Sequence, residues 1–115
     1  MADPERDAFS LFLPEGVLDW FTVVSSTKTA GTLRIVFEEK NIPPVTEEIR
    51  GCHVESKGFK EITVDDFPVR GRKTVLIFRR RYWKVEGKDL LLKRDIQLTW
   101  EGTQLEKEFA AFLKV

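Results

Sequence analysis

Two neighbouring β-forming segments in the second half of the chain constrain the fold most. Residues 73–83 are rich in β-branched and aromatic side chains, which favour strands. In residues 90–100 the apolar side chains share one parity: Leu90, Leu92, Ile96, Leu98 and Trp100. Alternation with a period of two places one face of a strand on a core and the other in water. Gly87, within the connecting residues 85–89, can adopt a positive φ, so the sequence predicts an antiparallel hairpin here.

The N-terminal half predicts a second hairpin. Residues 21–24 are β-branched or aromatic, and Leu33, Ile35 and Phe37 alternate with polar or smaller neighbours. The polar residues 25–31 between them favour a loop. The two segments are therefore expected to pair as strands on either side of that loop.

Between the two hairpins the pattern is less regular. Asn41, Pro43 and Pro44 predict the end of the first hairpin, and residues 41–57 are expected to form a long, partly irregular connection. Residues 61–64 are predicted as a short strand. Three residues are expected to stop that strand: Asp65, Asp66 and Pro68.

A helix is predicted near each end of the chain. Pro14 suits the first turn of a helix over residues 14–20, and Glu15 complements the positive end of its dipole. Its inward side chains are expected to be Val17, Leu18 and Trp20 or Phe21. At the other end Thr103 and Glu106 have the spacing of a capping box. One apolar stripe accompanies it: Leu105, Phe109, Phe112 and Leu113.

These elements predict one small α+β domain over residues 11–115, preceded by a flexible tail over residues 1–10. The expected architecture is an antiparallel sheet of four or five strands with a short N-terminal helix and a capped C-terminal helix. Because the sequence stops almost inside that helix, we expect it to be the N-terminal piece of a longer protein. No apolar run approaches the roughly 20 residues of a membrane span, and the acidic start lacks a signal pattern. A cytoplasmic protein without a membrane partner is therefore predicted.

The distribution of charge is the main functional signal. The chain is neutral, with 19 basic and 19 acidic side chains. Residues 70–84 hold seven basic side chains and no acidic one, which leaves 12 basic against 19 acidic elsewhere. The seven are Arg70, Arg72, Lys73, Arg79, Arg80, Arg81 and Lys84. Such a segment predicts an anionic partner, first of all a phosphate backbone, although edge strands also carry Lys and Arg to prevent aggregation.

Aromatic residues follow the arginines of this segment. Arginine binds phosphates or guanine edges in a forked geometry, and aromatic rings stack on unpaired bases. Trp83 shares a strand face with Arg79 and Arg81, and it is expected either to stack or to pack at the strand end. The predicted DNA-binding residues are Arg70, Arg72, Lys73, Arg79, Arg80, Arg81 and Trp83.

No catalytic or metal motif emerges from the remaining residues. Cys52 is the single cysteine and lies beside His53, the single histidine, so neither a disulfide nor a cysteine-rich zinc site can form within one chain. Asp65 and Asp66 are adjacent, which favours a turn signal over a metal pair. Because no acid, base and nucleophile can be assembled, we expect neither an enzyme nor a cofactor.

Several segments occur in an order that carries a family likeness: LPEGVLDWF, EEKN with IPP, SKGF, EITVDDFPVRGRK, RRRYW, and an ending of TWEGT and EFAAFLK. This order resembles the N-terminal region of a group of bacterial insertion-sequence transposases. In that group the region is often a separate short product ahead of the catalytic part. The likeness spans residues 11–115, and its most specific pieces are DFPVRGRKTVLIFRRRYW and GTQLEKEFAAFLK.

More distant transposases of this kind share a D-x-P-x-x-G segment, which two cysteine pairs flank in a zinc ribbon. Here Cys52 and His53 could match the first pair only, because residues 83–88 contain neither Cys nor His. Two ligands cannot close a tetrahedral site, so no zinc is expected.

The resemblance implies that the transfer chemistry resides in a later catalytic part. The expected function is a non-catalytic module that binds or positions transposon-end DNA through residues 70–84. The alternative is an interaction module that docks a catalytic transposase part or a second copy through Phe109, Phe112 and Leu113. In that case the arginines would pair with acids such as Glu38, Glu39, Glu47 and Glu48. The position of the arginines relative to these acids therefore distinguishes the two hypotheses.

Overall fold

The computed structural model describes Leu13, residues 16–96 and residues 103–114, and the side chains of Asp66, Phe67, Val69 and residues 103–106 lie outside that description. Within these ranges the chain forms α1 (Val17–Trp20), β1 (Phe21–Lys28), β2 (Thr32–Glu39), β3 (Val54–Val69), β4 (Arg72–Val85), β5 (Leu91–Lys93) and α2 (Thr103–Lys114). The predicted α+β class, with five strands and a short helix toward each end, is confirmed.

The sheet has the strand order β1-β2-β4-β3, and β5 also pairs with β4. One pairing differs from the fully antiparallel sheet that the sequence predicts, because β2 and β4 run parallel from Thr32↔Lys73 to Glu38↔Arg79. After β2 the chain leaves an open position beside that strand and forms β3 one place further along the sheet. β3 runs antiparallel to β2, and the tight turn after β3 reverses the chain, so β4 fills the position between them and runs parallel to β2. Local turn signals could not reveal this long-range pairing.

The first hairpin is confirmed, but its strands are longer than predicted. β1 continues to Lys28, so the predicted loop over residues 25–31 shortens to a turn at residues 29–31. Thr29 stabilises that turn, since its Oγ1 accepts a hydrogen bond from the Thr32 backbone N–H at 3.1 Å. Cross-strand pairing with β2 thus holds a polar segment in an extended conformation.

β3 corrects two expectations between the hairpins. It begins at Val54, inside the predicted connection, and continues past Asp65 to Val69, where a stop was expected. Pairing with β4 extends along β3 and overrides the local breaker signals, with a register shift between Asp66 and Val69. Pro68 falls within this shift on an edge strand, where a missing N–H is tolerated.

The second predicted hairpin is shorter than expected. β5 pairs with β4 only over Tyr82↔Lys93 to Lys84↔Leu91, and Gly87 in the connecting turn has the expected positive φ of 81°. Ile96 is buried but lies outside any strand. Residues 97–100 and the capping-box side chains of Thr103 and Glu106 lie outside the described part of the chain.

The core lies between one face of the sheet and the two helices. Phe78 of β4 occupies its centre, with ring centroids 5.2 Å from Phe21, 4.9 Å from Phe37 and 5.4 Å from Phe109. Other buried members of the cluster are Val17, Ile35, Ile62, Val64, Leu76, Ile96 and Phe112. Leu18 and Trp20 pack at its border, as predicted for α1. Leu113 is exposed, so the predicted stripe of α2 buries Phe109 and Phe112 but not Leu113.

Arg70 and Gly71 form the two-residue turn between β3 and β4. Val69 pairs with Arg72, and both turn residues have positive φ, 50° at Arg70 and 76° at Gly71. This geometry is typical of tight hairpins and favours Asn-Gly, because Gly adopts positive φ freely and Asn tolerates it. Arg70 therefore holds a backbone conformation that its side chain does not favour.

Replacing Arg70 by asparagine is expected to stabilise the protein by about 0.5–1 kcal/mol, because Asn relieves the unfavourable φ. Urea unfolding measures the change. Arg50→Asn is the matched control, since exposed Arg50 has a negative φ of −58° and should gain nothing. Equal effects of the two changes would contradict a role for turn geometry.

Candidate nucleic-acid interface

The three consecutive arginines of β4 point to different faces of the sheet. Side chains on a strand alternate, and Arg80 shares the core-facing parity of Leu76 and Phe78. Arg79 and Arg81 therefore lie on the opposite face of the sheet. The alternation of the sequence predicts this division, although all three arginines were expected to contact DNA.

Arg80 is fully buried, with an exposed fraction of 0%, beside Glu39 at 1%. Its Nε donates to Glu39 Oε1 at 2.8 Å and its Nη2 donates to the Arg94 carbonyl. The guanidinium carbon lies 4.5 Å and 4.6 Å from the ring centroids of Phe109 and Phe112. Burial lowers the pKa of Arg80, while the hydrogen bond and charge of Glu39 oppose that shift. The predicted phosphate contact of Arg80 is wrong, because its guanidinium joins α2 to the sheet inside the core.

Trp83 is also buried, and the predicted stacking role is corrected accordingly. Its Nε1 donates to Asn41 Oδ1 at 2.8 Å, which satisfies the one polar atom of the ring. Ile49 and Val85 are buried as well at this end of the fold. Trp83 therefore packs in the interior near the end of the strand, which is the other role that the sequence predicts.

Arg79 and Arg81 share two partners on the opposite face. Both guanidinium carbons lie 4.5 Å from the ring centroid of Phe59. Glu38 binds both arginines, with Oε2 2.8 Å from Arg79 Nη1 and Oε1 3.5 Å from Arg81 Nη2. Arg81 also donates to the Glu39 carbonyl at 3.1 Å and to Ser56 Oγ. With side chains 35% and 13% exposed, Arg79 is partly accessible and Arg81 is largely engaged.

The proximity of arginines and acids is the arrangement that the interaction-module hypothesis expects. Glu38 and Glu39 lie directly beside the arginines of β4, in the paired strand β2. Glu47 instead lies 3.7 Å from Arg50, and the Glu48 carbonyl accepts from Lys88. The central part of β4 is therefore an internally compensated structure rather than an open cationic strip.

Glu38→Gln is expected to lower the free energy of unfolding by about 1 kcal/mol, because two partly exposed arginines lose their shared carboxylate. Thermal or urea unfolding measures the loss. Glu61→Gln is a matched control, since exposed Glu61 faces Arg79 from the other neighbouring strand. If both changes had equal effects, the Glu38 pairs would contribute nothing specific.

The remaining predicted residues lie at one end of the sheet, where two turns meet. The Lys73 backbone N–H donates to the Gly31 carbonyl at 2.9 Å, and Arg72 Nε donates to the Thr29 carbonyl at 2.9 Å. Arg70 lies in the adjoining turn. Lys28 closes β1 at the same end and was not among the predicted site residues. We call this group the basic sheet end: Lys28, Arg70, Arg72 and Lys73.

The basic sheet end carries an excess of positive charge. Two acidic residues lie nearby on β3, where Asp65 and Asp66 pair with Val75 and Thr74. Lys73 Nζ lies 3.7 Å from Asp65 Oδ1, and both side chains are more than 60% exposed. An exposed pair of this kind is weak and screened by salt, so Lys73 remains available to another anion. Lys28 was overlooked because its position depends on the β1–β2 turn lying against the β3–β4 turn.

Cys52 and His53 form no larger cluster in the described part of the structure. His53 Nε2 lies 2.9 Å from Glu55 Oε1, with both side chains exposed, and Cys52 is a free, half-buried thiol. Across the described residues, no group of three or more His, Cys, Asp or Glu side chains is arranged to hold a metal ion.

Comparison with known proteins returns no match: no protein-family profile, curated protein or solved structure matches this chain. The likeness to transposase N-terminal regions therefore remains a hypothesis about the sequence. In the ranges that the structure describes, no helix has the length and apolar character needed to cross a membrane.

Proposed function

We propose that this protein is a non-catalytic DNA-binding and positioning module of a transposition system, and that it contacts DNA phosphates through the basic sheet end. The observation that carries this proposal is the junction of the two turns. It brings Lys28, Arg70, Arg72 and Lys73 to one end of the sheet in a protein whose chain as a whole is neutral. Clustered Lys and Arg side chains are the usual means of neutralising a phosphate backbone.

The backbone at Arg70 supports a functional role for this end. A non-glycine residue at positive φ is strained, and such strain often accompanies a functional requirement. Asparagine would suit the turn better than arginine. An arginine at this position therefore provides an exposed charge at some cost in stability.

The biological setting follows from the sequence resemblance alone. A transposase N-terminal region would act in the cytoplasm on the DNA ends of its element, beside a catalytic part encoded elsewhere in the system. The same resemblance makes the chain a recognition or positioning component rather than an enzyme.

Phosphate contacts fix position but carry no sequence information. If four side chains contact duplex DNA, the logarithm of affinity should fall with the logarithm of salt with a slope of about 3 to 4. We expect the basic sheet end to bind element ends and scrambled duplex with similar affinity, so any sequence preference would arise from other residues or from the catalytic part.

The test is fluorescence anisotropy of labelled duplex DNA with the triple variant Arg70→Gln, Arg72→Gln, Lys73→Gln, at several salt concentrations. Loss of three phosphate contacts should reduce the salt slope by about 3 and weaken binding uniformly across sequences. Lys28→Gln alone should reduce the slope by about 1. Circular dichroism and urea unfolding confirm that each variant is folded.

The matched control removes the same charge from exposed lysines remote from the two turns: Lys57→Gln, Lys60→Gln and Lys84→Gln. This triple variant should bind almost as well as the unmodified protein. Equal weakening by both triple variants would show that net charge, and not the basic sheet end, drives binding. Failure of the unmodified protein to bind duplex at low salt would overturn the proposal.

A second candidate is the interaction module, which the pairing of Arg79, Arg80 and Arg81 with Glu38 and Glu39 favours. Its predicted docking stripe cannot serve in the folded protein, because Phe109 and Phe112 are buried against the chain's own sheet. Any docking must therefore use another surface. Absence of DNA binding together with a defined protein complex would favour this candidate.

A further inference from the structure

In the described part of the chain, β1 and β3 form the two long outer edges of the sheet, and the three-residue β5 also pairs on one side only. Each edge strand pairs on one side only, so its other side presents backbone N–H and C=O groups. Proteins usually protect such edges with charges, proline or bulges, because an unprotected edge can pair with another strand. The two edges of this sheet differ in that protection.

The β3 edge is strongly protected. Charged side chains occur along it at short intervals: Glu55, Lys57, Lys60, Glu61 and Asp65. Register shifts interrupt it between Ser56 and Gly58 and again between Asp66 and Val69. A second strand that approached this edge would have to accommodate several charges and an irregular backbone.

The β1 edge has little of this protection. From Phe21 to Thr27 it contains no charged residue, proline or glycine, and Lys28 alone carries a charge at its end. One register shift lies between Val23 and Ser25, and regular pairing with β2 resumes from Ser25 to Lys28. The exposed side chains are small: Thr22, Val24, Ser25, Ser26 and Thr27, with Val24 48% exposed.

We propose that β1 is a dimerisation edge that pairs antiparallel with β1 of a second copy. The segment from Ser25 to Thr27 is uncharged and complementary to itself, since within it neither copy brings a charge that the other must compensate. A symmetric pairing of the same patch on both subunits is the commonest way in which identical chains associate. The only charge that a peptide ligand would meet along β1 is Lys28 at its end.

The arrangement has a definite register. Pairing about a twofold axis near Ser26 places Ser26 opposite its counterpart and Ser25 opposite Thr27 of the partner. This register keeps the α2-bearing faces of both copies on the same side of one continuous sheet, because directly opposed residues share a face. It also points the two basic sheet ends in opposite directions, with Lys28 of each copy opposite Val24 of the other.

The proposed pairing of two β1 strands does not depend on DNA binding. Its consequence for DNA rests on the proposed function. Two basic sheet ends directed away from each other could engage two separate duplex segments at once. Dimerisation is measured without DNA, so its failure and failure of the DNA proposal are distinguishable.

Sedimentation equilibrium of the full chain should show a species of twice the chain mass that dissociates on dilution. Ser26→Lys, which places a charge at the centre of the edge, should convert this species to monomer. Thr63→Lys is the matched control on the β3 edge and should leave the dimer unchanged. A monomer at all concentrations, or equal effects of the two lysines, would overturn the proposal.

Cysteine cross-linking tests the register directly. In a Cys52→Ser background, Ser26→Cys should form an intermolecular disulfide, because opposed residues of antiparallel strands have Cα atoms about 4.5–5.5 Å apart. Thr63→Cys in the same background should not. A disulfide at Thr63 but not at Ser26 would assign the contact to β3 and reject the β1 edge.

Discussion

Arg80→Ala is expected to lower the free energy of unfolding by about 3–5 kcal/mol, because it leaves the Glu39 carboxylate buried without its partner. The alanine also removes the guanidinium from the rings of Phe109 and Phe112, which weakens the attachment of α2 to the sheet. Urea unfolding followed by circular dichroism measures the loss. Arg34→Ala, on an exposed arginine of β2, should change stability by less than about 0.5 kcal/mol.

Replacing both partners should behave differently from replacing one. Glu39 Oε2 and Arg80 Nη1 have no hydrogen-bond partner among the described residues, so the pair is incompletely satisfied. The double variant Glu39→Met, Arg80→Met should therefore recover part of the stability that Arg80→Ala loses, since apolar replacements of buried pairs are often neutral. Recovery should be incomplete, because the Arg94 carbonyl loses Arg80 and the Arg81 backbone N–H loses Glu39 Oε1, to which it donates at 3.0 Å. If the double variant were as unstable as Arg80→Ala, the interactions of the Glu39–Arg80 pair would stabilise the fold by more than the free energy needed to bury its two charges.

Phe78→Ala is the second change with a large expected effect, a loss of about 3–5 kcal/mol. Phe78 lies among the rings of Phe21, Phe37 and Phe109, and alanine would leave a cavity between the sheet and α2. If Phe78→Ala does not fold, Phe78→Leu provides a milder measurement, with an expected loss of about 1.5 kcal/mol.

The matched control for this core position is Phe59→Ala, on the other face of the sheet. Phe59 is half-buried and contacts Arg79 and Arg81 rather than the aromatic cluster. Its loss should therefore be clearly smaller than that of Phe78→Ala under the same urea conditions. Comparable losses would contradict the assignment of the core to the α2-bearing face.

In β4, the sequence does not indicate which face of the strand lies on the core. Alternation correctly separates Arg80 from Arg79 and Arg81, but both parities of this central strand are apolar, with Val75 and Ile77 on one and Leu76 and Phe78 on the other. A strand that is apolar on both sides gives no local sign of which face carries the core. The burial of Arg80 could therefore not be predicted from β4 alone.

The acids that pair with these arginines could be named from the sequence, but their positions in the fold could not be predicted. Glu38 and Glu39 are adjacent in β2, so they point to opposite faces as Arg79 and Arg80 do. Their contact requires parallel pairing of strands about 40 residues apart, which no turn motif encodes. By contrast, the turn at Gly87 is local, and its positive φ was predicted correctly.

The parallel contact between β2 and β4 has a consequence for the order in which the protein can mature. β1 and β2 are synthesised first, yet β4 and then α2 follow much later in the chain. Until they emerge, the nascent hairpin holds Phe21 and Phe37 without their later neighbours Phe78 and Phe109. Sequence-distant contacts of this kind slow folding and prolong the exposure of apolar surface. Productive folding on the ribosome should therefore be postponed until α2 has been made, and dependence on chaperones should be greatest before that point.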